Sequence, residues 1–527
     1  MKETSIVIKL FRRVGAFFAA LYSVFLNSRL YKTCIGAADG VAECYGKSVI
    51  HDALTSEPVE AKSESSLFYR IYGKIVGFIF RIGDFVIDKL CRFAGLFTCS
   101  ETLKSTARES RTAKGFMKLF GWLFTFEGSF GFVVLIMFCV PNSVWNNAIG
   151  LGIAFVSVLY VMYAHAKGKE NLGLSPSKTY FSLVLFILCV AVSTVLSNNR
   201  ADSVRIFLFF FTSFVLCISV SVFLRNRKSY DFFVGVMFLV VVITSIVGVV
   251  QAILKVEADA SLTDLTLNQN MPGRVFSTFG NPNNFAQLLV LFMPFCAAFC
   301  MNVKGIFKKI VLWLVMILPV VALLQTYSRS GWIAFAVSVV MFVVLKNKRL
   351  IPLFIILCIA AIPLLPETVL SRIMTIGNLG DSSSSYRIDI WSGALDMLKV
   401  WWFTGVGLGP GAFKAIYPPY AYGTTINVAH SHMQFLEVFL ETGILGFICY
   451  VWMTVEIIRR ACIGTKTENK AMRNYCIAAA SSMTGIIFIG FFEYYWFYPR
   501  VMFAFFIVTG LSIAAERSAN SSAKSNF

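Results

Sequence analysis

Long apolar blocks separated by short polar connections make up most of the chain. Runs of about 17 to 25 mostly apolar residues have the length that crosses a bilayer core as a helix. The alternating pattern of a barrel strand is absent from the sequence. We therefore predict an all-α polytopic membrane protein with about twelve transmembrane helices. The predicted spans lie near 119–140, 146–165, 181–197, 205–224, 232–254, 283–301, 308–325, 331–345, 350–365, 433–457, 474–493 and 500–516.

The connections between these spans predict the orientation of the chain. With the N-terminus in the cytoplasm, every short inner connection is basic, as the positive-inside rule requires. Their basic residues are Lys167, Lys169, Lys178, Arg225, Arg227, Lys228, Lys304, Lys308, Lys309, Lys346, Lys348, Arg349, Arg459, Arg460, Lys466, Lys470 and Arg473. The outer segments hold few basic residues, although one of them, 366–432, is long. We predict a cytoplasmic-membrane protein with both termini in the cytoplasm and a large extracytoplasmic loop between late helices.

Residues 1–116 precede the first span and form a predicted cytoplasmic region. Residues 67–98 place basic side chains among aromatic and branched ones, which favours an amphipathic helix in the inner interface. The polar stretch 33–65 is interpreted as a linker. A signal peptide at the N-terminus is the alternative, and the basic residues after it would then have to cross the membrane. The transmembrane domain is predicted at 117–516, and 517–527 is a cytoplasmic tail.

Composition agrees with this assignment, because 57% of the residues are hydrophobic and the mean hydropathy is +0.72. The net charge of +19 requires no nucleic acid, since much of it lies in the inner connections, where anionic lipids attract it. None of the 13 cysteines falls in a long outer loop. No disulfide framework is therefore predicted.

Candidate functional residues collect on the predicted outer side. They are Arg274 with Asn281, Asn283 and Asn284, then Arg329, then Arg387 with Asp389, then Gly405, Gly407, Gly409 and Gly411, and finally His430 and His432. An arginine at a helix mouth indicates an anionic partner; the alternative for Arg329 is an interfacial anchor. The glycines lack the βαβ context of a dinucleotide fingerprint, so we predict tight turns that fold the loop onto the membrane. The alternative for the histidines is a plain surface position.

Three segments, "SRSGW", "GVGLGPGAF" and "HSHMQFLEVFLETGILGF", together resemble the O-antigen ligase and O-antigen polymerase superfamily. The likeness covers roughly 119–516, and members are polytopic membrane glycosyltransferases with a large extracytoplasmic loop. The family motif is a histidine, a small polar residue, nine positions, a glycine, two positions and a second glycine. His432 fits this spacing with Gly443 and Gly446, although Met433 replaces the small polar residue. The spacing from His430 ends on Glu441 instead.

The resemblance implies transfer of a glycan from an undecaprenyl-pyrophosphate carrier to an acceptor hydroxyl on the outer face. His432 would then deprotonate the acceptor, because a histidine accepts protons near neutral pH. Arg329 would stabilise the departing pyrophosphate, since a guanidinium binds phosphate with two hydrogen bonds. Arg274, Arg387 and His430 are expected to bind substrate. The expected partners are the lipid-linked donor, a glycan, lipid or cell-wall acceptor, and membrane lipids.

No metal or other cofactor is expected. The D-x-D pair that often holds a divalent ion does not occur in the outer segments, where Glu257-Ala258-Asp259 comes nearest to it. A transporter or flippase of the same lipid-linked glycans is the alternative function; it would be expected to show charges within the spans or paired broken helices. A scaffolding protein would leave the arginines and histidines unexplained. Polymerase, ligase and protein O-glycosyltransferase all remain open within the enzyme interpretation.

Overall fold

The computed structural model describes residues 126–146, 178–224, 227–256, 273–374 and 382–524, with isolated positions before 116 and between 149 and 157. These residues form fifteen α-helices and no strand. The helices, named α1 to α15 in chain order, are Phe126–Cys139, Lys178–Leu196, Arg200–Phe223, Arg227–Ile253, Pro282–Asn302, Ile306–Val315, Ile317–Gln325, Arg329–Asn347, Ile351–Ala361, Glu367–Met374, Ser382–Trp401, Gly409–Ile416, Gln434–Gly464, Lys470–Ile489 and Pro499–Lys524.

Seven of the described helical stretches are long and apolar enough to cross a membrane. They are Arg200–Ser221, Arg227–Ile253, Pro282–Asn302, Ile306–Gln325, Arg329–Leu350, Gln434–Gly464 and Pro499–Ser518. Phe130–Cys139 and Phe181–Leu196 are shorter apolar helices. The prediction of an all-helical, multi-pass membrane protein is confirmed. The predicted number of twelve spans is not, and most of the predicted span near 146–165 lies outside the described residues.

The contacts divide the chain into two compact units. The smaller one combines Met1–Ser66 with Val343–Leu365 and contains α9 and an ion pair between Lys348 and Asp39. Most of residues 1–116, including most of the predicted linker, lies outside the described part of the chain. Where positions 33–43 are described they are helical, as are the described positions between 70 and 92.

The larger unit, Leu67–Phe342 with Pro366–Phe527, holds every candidate site residue. Its helices pack in pairs, with α5 against α14, α3 against α15 and α2 against α13. Four helix ends meet at the end of this unit that contains the candidate site: the starts of α5, α13 and α15 and the end of α14. There the amide of Gln434 donates to Gly490 and the amide group of Asn283 donates to Glu493.

The segment predicted as a large loop, 366–432, is itself largely helical. It contains α10, α11 and α12. Gly405, Gly407 and Gly409 have φ angles of +71°, +105° and +84°, which only glycine adopts at little cost. The segment between α11 and α12 lies against α13, where Val406 and Gly407 donate backbone hydrogen bonds to Leu440 and Glu441.

Candidate active site

The two histidines lie in a tight turn that ends where α13 begins. His432 has a φ of +54°, a conformation that is uncommon for a residue other than glycine and persists only where the surroundings hold it. The amide of Ser431 donates to Oε2 of Glu437 at 2.6 Å. The indole Nε1 of Trp391, on α11, donates to the carbonyl of Ser431 at 3.0 Å. The turn is therefore fixed both by α13 and by the loop helix.

The two imidazole rings have different hydrogen bonds. Nδ1 of His430 accepts the backbone N–H of His432 at 3.1 Å, so a neutral His430 carries its proton on Nε2 and acts as a donor. The ring centroids are 4.1 Å apart. Nδ1 of His432 is buried and has no hydrogen-bond partner among the described residues. His432 is thus the histidine of the pair with a buried ring nitrogen that lacks a hydrogen-bond partner among the described residues.

Both histidines are held in the neutral form. Burial, with a smaller contribution from Arg387, lowers the pKa of His432 to about 4. Burial also lowers the pKa of His430 well below its usual value, assisted by His432 and Arg387. Because the neutral imidazole is the form that accepts a proton, His432 can act as a base throughout the physiological pH range.

The pKa of His432 makes a prediction about pH. A base with an ordinary histidine pKa would lose half of kcat/KM near pH 6.5, whereas His432 should keep kcat/KM nearly constant down to about pH 5. The sign follows from the cause, since burial and the arginine both disfavour the protonated ring. Rates of glycan transfer at low donor concentration from pH 4.5 to 8 would check this. A midpoint near 6.5 would contradict it.

An arginine–carboxylate network lies beside the histidines. Nη2 of Arg387 donates to Oε1 of Glu493 at 2.6 Å, and Nδ2 of Asn283 donates to the same oxygen at 3.0 Å. The side-chain oxygen of Asn283 accepts Nη2 of Arg274 at 2.8 Å. One carboxylate thus holds two arginines, directly in one case and through an amide in the other.

Arg274 is buried, and its Nε donates to the carbonyl of Thr326 at 2.9 Å. Its pKa is lowered to about 10, mainly by burial and then by Arg372, Arg387 and Arg329, while Glu493 opposes the shift. Arg329 is the first residue of α8. The structure therefore brings the three arginines singled out in the sequence, and a fourth at 372, into one electropositive region.

Arg387 differs from Arg274 in its solvent exposure and in the number of its N–H donors that have no partner in the part of the chain described. Its side chain is 23% exposed, and Glu493 is its one hydrogen-bond partner within the described ranges. A guanidinium has five N–H donors in a planar fork. Arg387 can therefore bind an anion with its remaining donors without leaving Glu493, and it also acts on the pKa of both histidines.

Sequence reasoning did not single out Glu493 or Arg372. Glu493 is the one carboxylate in the "FFEYYWFYPR" segment between α14 and α15, and burial raises its pKa although Arg387 and Arg274 oppose that shift. It is the one acidic residue of the predicted span near 474–493, and a charge within a span is costly unless it has a partner. That cost was the signal that could have identified it.

A break in α13 places the segment between α11 and α12 against the site. Gly443 has φ +67° and ψ −173° inside the helix. The amide of Ile444 donates to Trp402 at 2.8 Å, and the amide of Val406 donates to Leu440 at 2.7 Å. Nearby, Oε1 of Glu441 accepts the amide of Gly409 at 2.8 Å. Gly443, the first glycine of the histidine motif, is therefore the position where α13 breaks and the segment 402–406 packs against it.

A family model described as O-antigen ligase matches residues 314–451. The segment includes Arg329, Arg387, both histidines and Gly443, while Arg274 and Glu493 lie outside it. The chain is thus a multi-pass membrane protein whose residues 314–451 are similar to the O-antigen ligase family. This match confirms its resemblance to the O-antigen ligase and polymerase superfamily, whose members transfer glycans in polysaccharide biosynthesis. A search of curated proteins finds no match.

Proposed function

We propose that this protein transfers a glycan from undecaprenyl pyrophosphate to an acceptor hydroxyl at the outer face of the cytoplasmic membrane. The observation that carries the proposal is the neighbourhood of a neutral His432 and an Arg387 with open donors. A base and a phosphate-binding group are the two parts that transfer from a pyrophosphate-linked sugar requires. The basic inner connections support the orientation, with both termini in the cytoplasm.

In this mechanism His432 takes the proton of the acceptor hydroxyl through a ring nitrogen. The acceptor oxygen attacks the anomeric carbon, and the bond from that carbon to the pyrophosphate oxygen breaks. The electron pair leaves with the pyrophosphate, whose negative charge Arg387 binds and Arg274 and Arg329 stabilise from nearby. Direct displacement inverts the configuration at the anomeric carbon. His430 donates a hydrogen bond from its Nε2–H group to the glycan.

Donor binding would also strengthen the base. The positive charge of Arg387 contributes to the lowered pKa of His432, and a bound pyrophosphate neutralises that charge. Opposite charge nearby favours the protonated imidazole, so the pKa of His432 rises in the donor complex. The acidic limb of kcat should therefore lie at a higher pH than that of kcat/KM.

Glu493→Gln is expected to weaken donor use by about tenfold or more, seen mainly in the KM for donor, because Arg387 loses a buried charged partner. Asp396→Asn is the matched control, since Asp396 is an exposed carboxylate on α11 bonded to Lys399 and Tyr422. It should leave KM unchanged. The increase in KM caused by Glu493→Gln should not add to that caused by Arg387→Gln, because both substitutions remove the same Arg387–Glu493 interaction. Additive losses would show that Glu493 acts elsewhere.

We propose that the reaction needs no divalent metal. No group of three or more potential ligands from histidine, cysteine, aspartate and glutamate occurs in the part of the chain that the structure describes. Arg387 and its neighbours supply the positive charge instead. Purified protein should keep its full transfer rate in excess EDTA. Activity that disappears in EDTA and returns with Mg²⁺ or Mn²⁺ would refute this proposal.

The function is tested by transfer in detergent with a purified pyrophosphate-linked glycan. No bilayer separates donor from acceptor in a micelle, so product formation excludes the flippase alternative. Failure to form product with any lipid-linked donor, in protein that remains folded, would overturn the proposal. The glycan that accumulates on the carrier in cells lacking the protein then identifies the reaction. Loss of a polymerase leaves single repeat units on the carrier, and loss of a ligase leaves finished polymer there.

A further inference from the structure

The helix α11 has an exposed apolar stripe that neither the fold nor the proposed reaction uses. Ile390, Ala394 and Met397 are buried in the cluster between α11 and α13. Ile388 and Leu395 are seven residues apart on α11, so they lie along one side, and Trp402 directly follows the last residue of the helix. They are 39%, 52% and 50% exposed.

The stripe ends in two adjacent aromatic residues. Phe403 is 61% exposed, and its ring lies edge-on to that of Trp402 with centroids 5.5 Å apart. On a neighbouring sector of α11, Asp396 accepts hydrogen bonds from Lys399 at 2.6 Å and from Tyr422 at 2.7 Å. α11 thus has a buried sector, an apolar exposed sector and a polar exposed sector, as helices at membrane interfaces do.

Backbone hydrogen bonds hold the segment that contains this aromatic pair against α13. The amide of Asn198 donates to Val406, and the amide of Val406 donates to Leu440, so these three residues share one level. Trp402 accepts from the amide of Ile444, four residues further along α13. Leu445, the next residue along α13, is 61% exposed and belongs to the membrane-length stretch Gln434–Gly464. Trp402 therefore lies next to the exposed apolar surface of α13.

The level of Asn198 is a polar boundary. It is the turn between α2 and α3, where Arg200 and Asp202 follow directly. Before this turn, α2 exposes Val192 and Val195, at 57% and 66%. On α13, Leu445 and Ile448 are 61% and 54% exposed. The aromatic pair thus lies between the polar turn and the exposed apolar residues of α2 and α13.

We propose that Trp402 and Phe403 anchor the end of α11 in the bilayer, with phospholipid at the boundary between head groups and acyl chains as their partner. Aromatic side chains concentrate at this depth because their rings are large and amphipathic. The stripe from Ile388 to Trp402 brings α11 down to the membrane. Since Arg387 lies near the other end of the helix, the anchor sets its position relative to lipid head groups.

The test is photocrosslinking of the full-length protein in nanodiscs whose phospholipids have tagged acyl chains. A benzophenone amino acid replaces Phe403, Tyr422 or Leu445 in separate variants. Phe403 should form several-fold more lipid adduct than Tyr422 and nearly as much as Leu445. Tyr422 is the matched control, because it is an exposed aromatic residue beside the polar sector of α11.

Equal lipid adduct at Phe403 and Tyr422 would overturn the anchor. So would a protein adduct in place of lipid when the Phe403 variant is irradiated in native membranes, since the stripe would then be a docking surface for a protein. The outcome does not depend on glycan transfer, so the anchor and the proposed function can fail separately.

Discussion

His432→Ala should lower the rate of glycan transfer by about 10² or more, the scale expected for removal of a general base. The ring has no hydrogen-bond partner in the described part of the chain, so its loss removes the base without breaking a structural bond. Alanine is strained at a φ of +54°, and His432→Asn is the better variant because asparagine tolerates this conformation. Transfer by equal amounts of folded, membrane-inserted protein is the measurement.

His430 provides the comparison for this prediction. Its Nδ1 accepts the amide of His432, so His430→Ala should lower transfer less, through a less rigid turn. Asparagine at 430 retains a side-chain acceptor and should preserve more activity than alanine. If His430→Ala abolishes transfer while His432→Asn does not, His430 is the base. Normal rates in both would exclude a histidine base.

Gly443→Ala should prevent stable folding or lower the thermal stability strongly. The φ and ψ angles of Gly443 belong to a region that is nearly closed to other residues, which costs about 1–3 kcal/mol by itself. A Cβ there would also collide with the backbone carbonyl of Phe403. The segment after α11 would leave the break in α13 and lose its bonds to Leu440 and Ile444.

Gly235→Ala is the matched control for this variant. Gly235 lies within α4, and the nearest atom to an added Cβ is in Phe299 at an ordinary 3.6 Å. This substitution should leave stability equal or slightly higher, because alanine favours a helix. Thermal unfolding of both proteins in the same detergent gives the comparison. Equal unfolding temperatures would show that the helix break tolerates a side chain.

The apolar runs identified the helices well because a membrane-spanning helix satisfies its backbone within its own sequence. The predicted span near 283–301 corresponds to Pro282–Asn302, and the span near 232–254 to Arg227–Ile253. The number of spans was harder to predict, because the sequence pattern sets no lower limit on how apolar a crossing helix must be. The span predicted near 474–493 corresponds to Lys470–Ile489, which is not among the seven helices long and apolar enough to cross a membrane.

The candidate residues were identified by chemistry and motif spacing, but their partners were not. Arg387 and Glu493 are 106 residues apart in sequence, and no local pattern relates them. The spacing from His432 to Gly443 indicated a motif without revealing that Gly443 breaks the helix. That role depends on the segment at Trp402, which approaches from elsewhere in the chain.

The sequence by itself determined the helical membrane architecture, the basic connections and the positions of the histidine and arginine residues. These follow from hydrophobicity, charge and residue type, which act locally along the chain. The tertiary structure alone decided which histidine has an unpartnered ring nitrogen, which arginine is partly exposed and which carboxylate holds that arginine. Those properties depend on burial and on hydrogen bonds between distant segments, and both exist only once α5, α11, α13 and the α14–α15 connection have packed together.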